Sequence, residues 1–129
     1  MLITRRSLFT MLVLAPALQL AGCEDLVLFG GDVEIRMRNA STYTLLDVRV
    51  EFPGGLVIYG DIDAGRSTSY RVVERAYGYA YVEAAVDGRT LRLVPIDYVG
   101  EDYLKAGSYT YELGVYGDGQ SLTHRLVRD

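Results

Sequence analysis

An all-β fold, most simply a two-sheet sandwich of seven or eight short strands, is what this sequence predicts. Two observations carry the prediction. After Gly31 the chain alternates apolar and polar residues over short runs separated by Gly, Asn and Asp turn residues, the pattern of half-buried strands. In addition, three hairpin registers that stack apolar side chains also set opposite charges across from each other. Agreement between independent levels of pattern marks a sequence that specifies one structure.

The first element stands apart from that domain. Residues 1–22 read as an export signal: Arg5 and Arg6 give a positive start, and a mostly apolar run from Leu8 to Leu20 follows, interrupted by Thr10, Pro16 and Gln19. The run is shorter than the roughly 20 residues a membrane-spanning helix needs. The small residues Ala21 and Gly22 then precede Cys23, as at a cleavage site. Leu20-Ala21-Gly22-Cys23 resembles the lipobox of bacterial lipoproteins. In that family the chain is cut just before the cysteine, between the positions held here by Gly22 and Cys23, and the thiol is acylated. The resemblance implies that Cys23 becomes a lipidated first residue and that residues 23–32 tether the domain to a membrane. Glu24 stands where an inner-membrane lipoprotein tends to carry aspartate, which implies the outer membrane, facing the periplasm. Thr4-Arg5-Arg6-Ser7-Leu8-Phe9 also resembles a twin-arginine export signal, with Leu8 in place of the usual phenylalanine and Thr10 in place of lysine; both export routes stay open.

The chain after residue 22 is 107 of the 129 residues, one small domain. A domain of this size buries roughly 60–70 % of its unfolded surface, so one core suffices. Cys23 is the single cysteine, which excludes an intrachain disulfide and leaves stability to packing and strand pairing. All 17 acidic residues follow residue 22, with 11 of the 13 basic ones, for a net charge of −6. An acidic domain argues against nucleic acid and against attraction to anionic headgroups.

The strands follow in order. The first hairpin is expected between Val33–Asn39 and residues 44–51, through Ala40-Ser41-Thr42-Tyr43. Pairing Ile35 with Val48 and Met37 with Leu46 sets Arg36 against Asp47 and Glu34 against Arg49; such cross-strand pairs contribute roughly 0.2–1 kcal/mol each. Residues 56–59 and 67–73 supply two further strands, with a turn over residues 61–66. The second hairpin closes on Asp87-Gly88, a strong type I′ signal. It pairs Val86 with Arg89, Ala84 with Leu91 and Val82 with Leu93, and sets Glu83 against Arg92. The third turns around Gly117-Asp118-Gly119-Gln120, pairing Val115 with Leu122, Leu113 with His124 and Tyr111 with Leu126, and setting Glu112 against Arg125. The longest connection runs over residues 96–105, with a helical turn expected over 102–105.

Leu104-Lys105-Ala106-Gly107-Ser108-Tyr109 resembles the strand start of immunoglobulin-like and transthyretin-like sandwiches, where a glycine turns the chain and a tyrosine hydroxyl pins the corner. Ile96-Asp97-Tyr98-Val99-Gly100-Glu101, with Leu104 and Gly107-Ser108-Tyr109-Thr110-Tyr111, is similar to a family of small bacterial envelope lipoproteins. The resemblance implies a lipid-anchored β-sandwich over residues 33–129 and brings no activity with it.

The most unusual surface expected is a band of tyrosines. Tyr77, Tyr79 and Tyr81 alternate, and the Asp87-Gly88 register carries them to the side of Glu83 and Arg92, with Tyr81 opposite Val94 and Tyr79 opposite Ile96. Flat apolar rings with polar tips suit a protein interface or a stacked sugar ring. The plainer alternative is that the connection over 96–105 covers the band. His124 lies on the apolar side between Leu122 and Leu126 with no nucleophile or orienting carboxylate readable beside it, so no catalytic residue is assigned. Asp61 with Asp63, and Asp97 with Glu101 and Asp102, are too few oxygens for calcium, so no metal or cofactor is assigned. Asn39 in Asn39-Ala40-Ser41 reads as the end of a strand and the start of its turn. The expected function is a non-enzymatic binding or assembly component of the bacterial envelope, held to the membrane through Cys23, with an envelope protein or a glycan as partner. Two alternatives stand: an inhibitor or immunity-type lipoprotein acting through residues 60–66 or 117–120, and a glycan-binding module using the tyrosines.

Overall fold

A computed structural model describes residues 31–96 and 101–129. The segment read as a signal, the cleavage pair Gly22 and Cys23, most of the tether, and Asp97 lie outside the described residues.

The described chain forms eight strands in two four-stranded sheets. They are β1 (Val33–Asn39), β2 (Leu45–Phe52), β3 (Gly55–Ile62), β4 (Arg71–Val73), β5 (Tyr81–Val86), β6 (Arg89–Leu93), β7 (Gly107–Tyr116) and β8 (Ser121–Arg128). One sheet has the order β4-β1-β7-β8, the other β3-β2-β5-β6. This is the β-sandwich that the alternation predicts. Ile35, Met37, Val48, Val50, Val82, Val86, Tyr111 and Leu113 are fully buried between the sheets. Among the described residues, the strand pairings and the core run from Val33 to Arg128.

Two hairpins hold the predicted register residue for residue. β5 and β6 pair Val82 with Leu93, Glu83 with Arg92, Ala84 with Leu91 and Val86 with Arg89. Asp87 (φ 48°) and Gly88 (φ 76°) both take the left-handed conformation that a type I′ turn demands. β7 and β8 pair Tyr111 with Leu126, Glu112 with Arg125, Leu113 with His124 and Val115 with Leu122.

The expected hairpin between the first two strands does not form. β1 and β2 belong to different sheets: β1 runs parallel to β7, Val33 against Gly107 through Asn39 against Leu113, while β2 pairs antiparallel with β3 and β5. Asn39 is the physical reason. Its side chain is fully buried; Nδ2 donates to the Tyr43 carbonyl (2.6 Å) and the Ile62 carbonyl (2.9 Å), and Oδ1 accepts from the Ser41 N–H (2.9 Å) and the Ser41 hydroxyl (2.6 Å). The segment that reads as a hairpin turn is therefore a corner carrying the chain from one sheet to the other. Charges expected across that hairpin find other partners. Glu34 accepts from the Ser108 hydroxyl, and Arg36 donates to Thr110 Oγ1 (2.9 Å). Arg49 pairs with Asp47 of its own strand at 2.8 Å, where a bulge sets Asp47 at φ 53°.

β4 is shorter than the strand predicted over 67–73. Thr68 takes over part of the ladder: its Oγ1 accepts from the Met37 N–H (3.1 Å), and only Ser67 bridges to Arg38 upstream of Arg71. Residues 102–105 form no helical turn. The predicted corner at the start of β7 is present: Gly107 turns at φ 148° and the Tyr109 hydroxyl donates to the Lys105 carbonyl at 2.7 Å.

The strand ends gather into two poles. At the N-terminal pole β1, β5 and β7 begin, β4 and β6 end, and β2 turns into β3. At the far pole lie the Asn39 corner and the turns at 63–66, 87–88 and 117–120.

Candidate functional site

Residues 74–80 are irregular, so the alternation read for the tyrosines reaches only Tyr81, the first residue of β5. The structure accordingly divides the predicted band between two hollows.

Tyr77 and Tyr81 flank the first, about 330 Å³, with Glu51, Phe52 and Pro53 on its other side. Glu51 opposes Tyr81 on one side and Leu56 on the other, and a second hollow of about 330 Å³ continues past Glu51, Phe52 and Pro53 to Leu56. Together they make a shallow groove across the end of the sheet. It borders β3, whose outer edge has no strand partner among the described residues and which exposes half of Leu56 and Ile58. The Tyr81 hydroxyl donates to Glu83 Oε2 at 3.0 Å, and Arg92 lies 3.5 Å from the same carboxylate. Desolvation, then the hydrogen bond to Glu83, hold the Tyr81 phenol above its ordinary pKa. The groove thus offers aromatic and aliphatic area with an anchored polar tip, the composition of a protein-binding surface.

Tyr103 was not anticipated as part of this site. Its ring stacks on Tyr77 with centroids 4.7 Å apart, and Arg75 lies 5.5 Å from its centroid. The Leu104 N–H donates to the Ala76 carbonyl, and the Tyr111 hydroxyl donates to that of Tyr77. Part of the long connection therefore does lie against the tyrosine segment, where Tyr103 orients Tyr77.

Tyr79, Val94 and Ile96 meet in the other hollow, about 310 Å³, lined also by Leu93, Pro95 and His124. Ladder pairing between β5 and β6 stops at Val82 with Leu93, so Val94 and Ile96 leave the sheet; they are 61 % and 99 % exposed. His124 faces inward as expected, edge-on to the Tyr111 ring at 4.5 Å. Its Nε2 is buried and has no hydrogen-bond partner among the described residues. Burial lowers its pKa to about 4, so the imidazole is neutral near pH 7.

The remaining predicted positions take structural roles. Asp61 Oδ1 accepts from the Asp47 N–H at 2.8 Å, bracing the bulge. The turn after β3 is tied to Asn39, whose carbonyl accepts from Gly65 and whose N–H donates to Arg66. At the 117–120 turn, Gly119 packs close to Tyr43 and Arg89. Among the described residues no three His, Cys, Asp or Glu side chains come together as metal ligands. A sequence cue for the groove does exist: Pro53-Gly54-Gly55 separates two alternating runs and so marks the tight turn that sets Phe52 and Leu56 on either side.

No protein-family model and no curated protein matches the chain. Among solved structures, the fold is similar to an NMR structure of a protein from Eubacterium rectale, with a TM-score of 0.53 and 10 % identity over 72 % of this chain and 87 % of that one. A likeness at that identity concerns the sandwich alone.

Proposed function

We propose that the chain is a lipid-anchored, non-enzymatic binding component of the bacterial cell envelope, attached through Cys23 to the periplasmic face of the outer membrane, and that it receives a partner protein in the groove lined by Tyr77, Tyr81 and residues 51–56. One observation supports the binding surface above others: two half-buried tyrosines and an exposed aliphatic strand edge share one continuous groove. An unpaired edge beside a groove with pockets for side chains suits an extended peptide segment. The Tyr77 ring already has one face against Tyr103, which favours a protein partner over a sugar stacked on that ring. The lipobox resemblance and the short apolar signal support the anchor.

Crosslinked capture from envelope extracts tests the surface. The reference chain is compared with Tyr77→Ser/Tyr81→Ser and with Tyr79→Ser, each first shown to be folded by its cooperative melt. The expected result is a specific partner lost only from the double variant. Equal capture by all three chains would refute the groove as the contact surface.

A further inference from the structure

Among the described residues four strands stand at a sheet edge: β4, β8, β3 and β6. Three of them are guarded. β4 is three residues long, β6 carries Arg89 and Arg92, and β8 carries Arg125 and Arg128. Short or charged strands keep a sheet edge from pairing with other chains. β3 differs. Its run Gly55-Leu56-Val57-Ile58-Tyr59 has no charge and no proline, and Leu56 and Ile58 are 53 % and 50 % exposed. The one acid of the strand, Asp61, is turned back to accept from the Asp47 N–H. Val72, itself 60 % exposed, lines a small hollow with Leu56 and Val57 and extends the apolar area beyond the edge.

The turn before β3 fixes which backbone groups face outward. Phe52 and Gly55 flank a two-residue turn, and Val57 pairs with Val50. Pairs in such a hairpin alternate, so the N–H and C=O of Val57 point at β2 and those of Leu56 and Ile58 point away from it. An antiparallel strand centred on Val57 therefore meets both free residues. A second copy of β3 is such a strand, and it complements itself. A two-fold axis at Val57 sets Leu56 against Ile58 of the second copy and Ile58 against its Leu56, so four exposed aliphatic side chains meet on one face. The same axis brings Tyr59 toward Gly55 of the second copy. The Arg71 guanidinium lies 5.8 Å from the Tyr59 ring, and Glu74 packs so close to Gly54 that a Cβ there would stand 2.7 Å from its own Cβ. Each Arg71 is thus carried toward Glu74 of the second copy, a charge match of the kind that selects register.

We infer that two copies of the chain pair antiparallel through β3, joining their β3-β2-β5-β6 sheets into one. The contact is isologous and uses up both unguarded edges, so the assembly closes as a dimer. It is centred on residues 56–58 and ends at the bulge, where the register against β2 shifts between Ile58 and Gly60. The inference rests on the reading of the groove as a protein-binding surface. It assigns the β3 end of that groove to a second copy and leaves the end at Tyr77 and Tyr81 to the envelope partner.

Disulfide trapping tests the pairing. The two Val57 residues form a pair without ladder hydrogen bonds, with Cα atoms about 4.5 Å apart, within disulfide reach. The full chain is expressed in bacterial cells, oxidised with copper phenanthroline and run on a non-reducing gel. Cys23 is common to every variant, so a dimer formed through it shows in the parent chain as well. Val57→Cys is expected to give a covalent dimer well above the parent level. Ala64→Cys, in the turn after β3, is expected to match the parent. Leu56→Cys co-expressed with Ile58→Cys is expected to give the same dimer from two exposed positions that the core does not depend on. Adding Arg71→Glu to Val57→Cys is expected to lower the yield, and adding Glu74→Arg as well to restore it. No dimer from either cysteine design, or as much from Ala64→Cys as from Val57→Cys, overturns the inference. A charge swap that restores nothing overturns the register. Tyr77→Ser/Tyr81→Ser is expected to keep the covalent dimer, so loss of the envelope partner and loss of the pairing are read separately.

Discussion

His124 shows how one side chain sets a pH dependence for the whole domain. Its pKa falls from an ordinary 6.5 to about 4 because burial strips water from the imidazolium, and Nε2 finds no partner to compensate. Between those two values the unfolded chain binds the proton and the fold does not. Stability is therefore full above about pH 6.5, declines as pH falls through this window, and levels out below about 4; the loss at the lower end is on the order of 3 kcal/mol. His124→Leu removes the titrating group and keeps an apolar side chain against Tyr111. Its urea midpoint is expected to change little between pH 7.5 and 4.5, whereas the parent's falls; equal slopes would show that the dependence arises elsewhere. Asp129 does not confound the window. Hydrogen bonds from Thr110 and Tyr70 hold its carboxyl below the ordinary carboxylate value, so its contribution is lost only at more acid pH. The side of β8 on which His124 sits follows from alternation alone. Its isolation at Nε2 depends on what packs across the sheet, which no local pattern records.

At the scale of elements, the corner between β1 and β2 decides the topology. Asn39 holds one carbonyl from the corner itself, one from the end of β3, and one flanking serine. Asn39→Ala strands those buried groups and is expected to cost about 3 kcal/mol, read as a lower urea midpoint with an unchanged slope. Asn39→Asp keeps the acceptor toward Ser41 but turns a carboxylate against two carbonyls, and is expected to cost more. A loss below about 1 kcal/mol in the alanine variant, the net worth of one ordinary hydrogen bond, would show that packing alone makes the corner. The same corner explains which strand pairings were legible in the sequence. β5 with β6 and β7 with β8 were legible because Asp87-Gly88 and Gly117-Asp118-Gly119 impose their own backbone geometry, and the register follows from the turn. The charges confirm that register without choosing the partner. Arg36 and Arg38 suit Asp129 and Glu112 in the structure as well as they would suit acids on β2. Complementary charge on an alternating strand is therefore degenerate, and a parallel pairing such as β1 with β7, whose partners lie some 70 residues apart, leaves no short-range trace. The candidate groove was half legible for the same reason. Tyr81 lies on a strand whose register the turn fixes, while Tyr77 and Tyr79 lie on irregular backbone where alternation has no meaning.

At the scale of the whole molecule, the groove lies at the end of the sandwich where β1 begins: residues 52–57 sit beside residues 72–74, and Val73 pairs with Val33. Exposed aliphatic side chains would not hold such a domain at a membrane unaided: complete burial of one yields about 1.5–3 kcal/mol, less the cost of fixing the molecule at the surface. Acyl chains supply about 0.8 kcal/mol per methylene, and two chains anchor stably where one does not. Cys23→Ser is accordingly expected to lose incorporation of a palmitate analogue and to move the protein from the membrane fraction to the soluble one. A Cys23→Ser chain that stayed with membranes after a salt wash would assign attachment to the protein surface, and would remove the lipid anchor from this account.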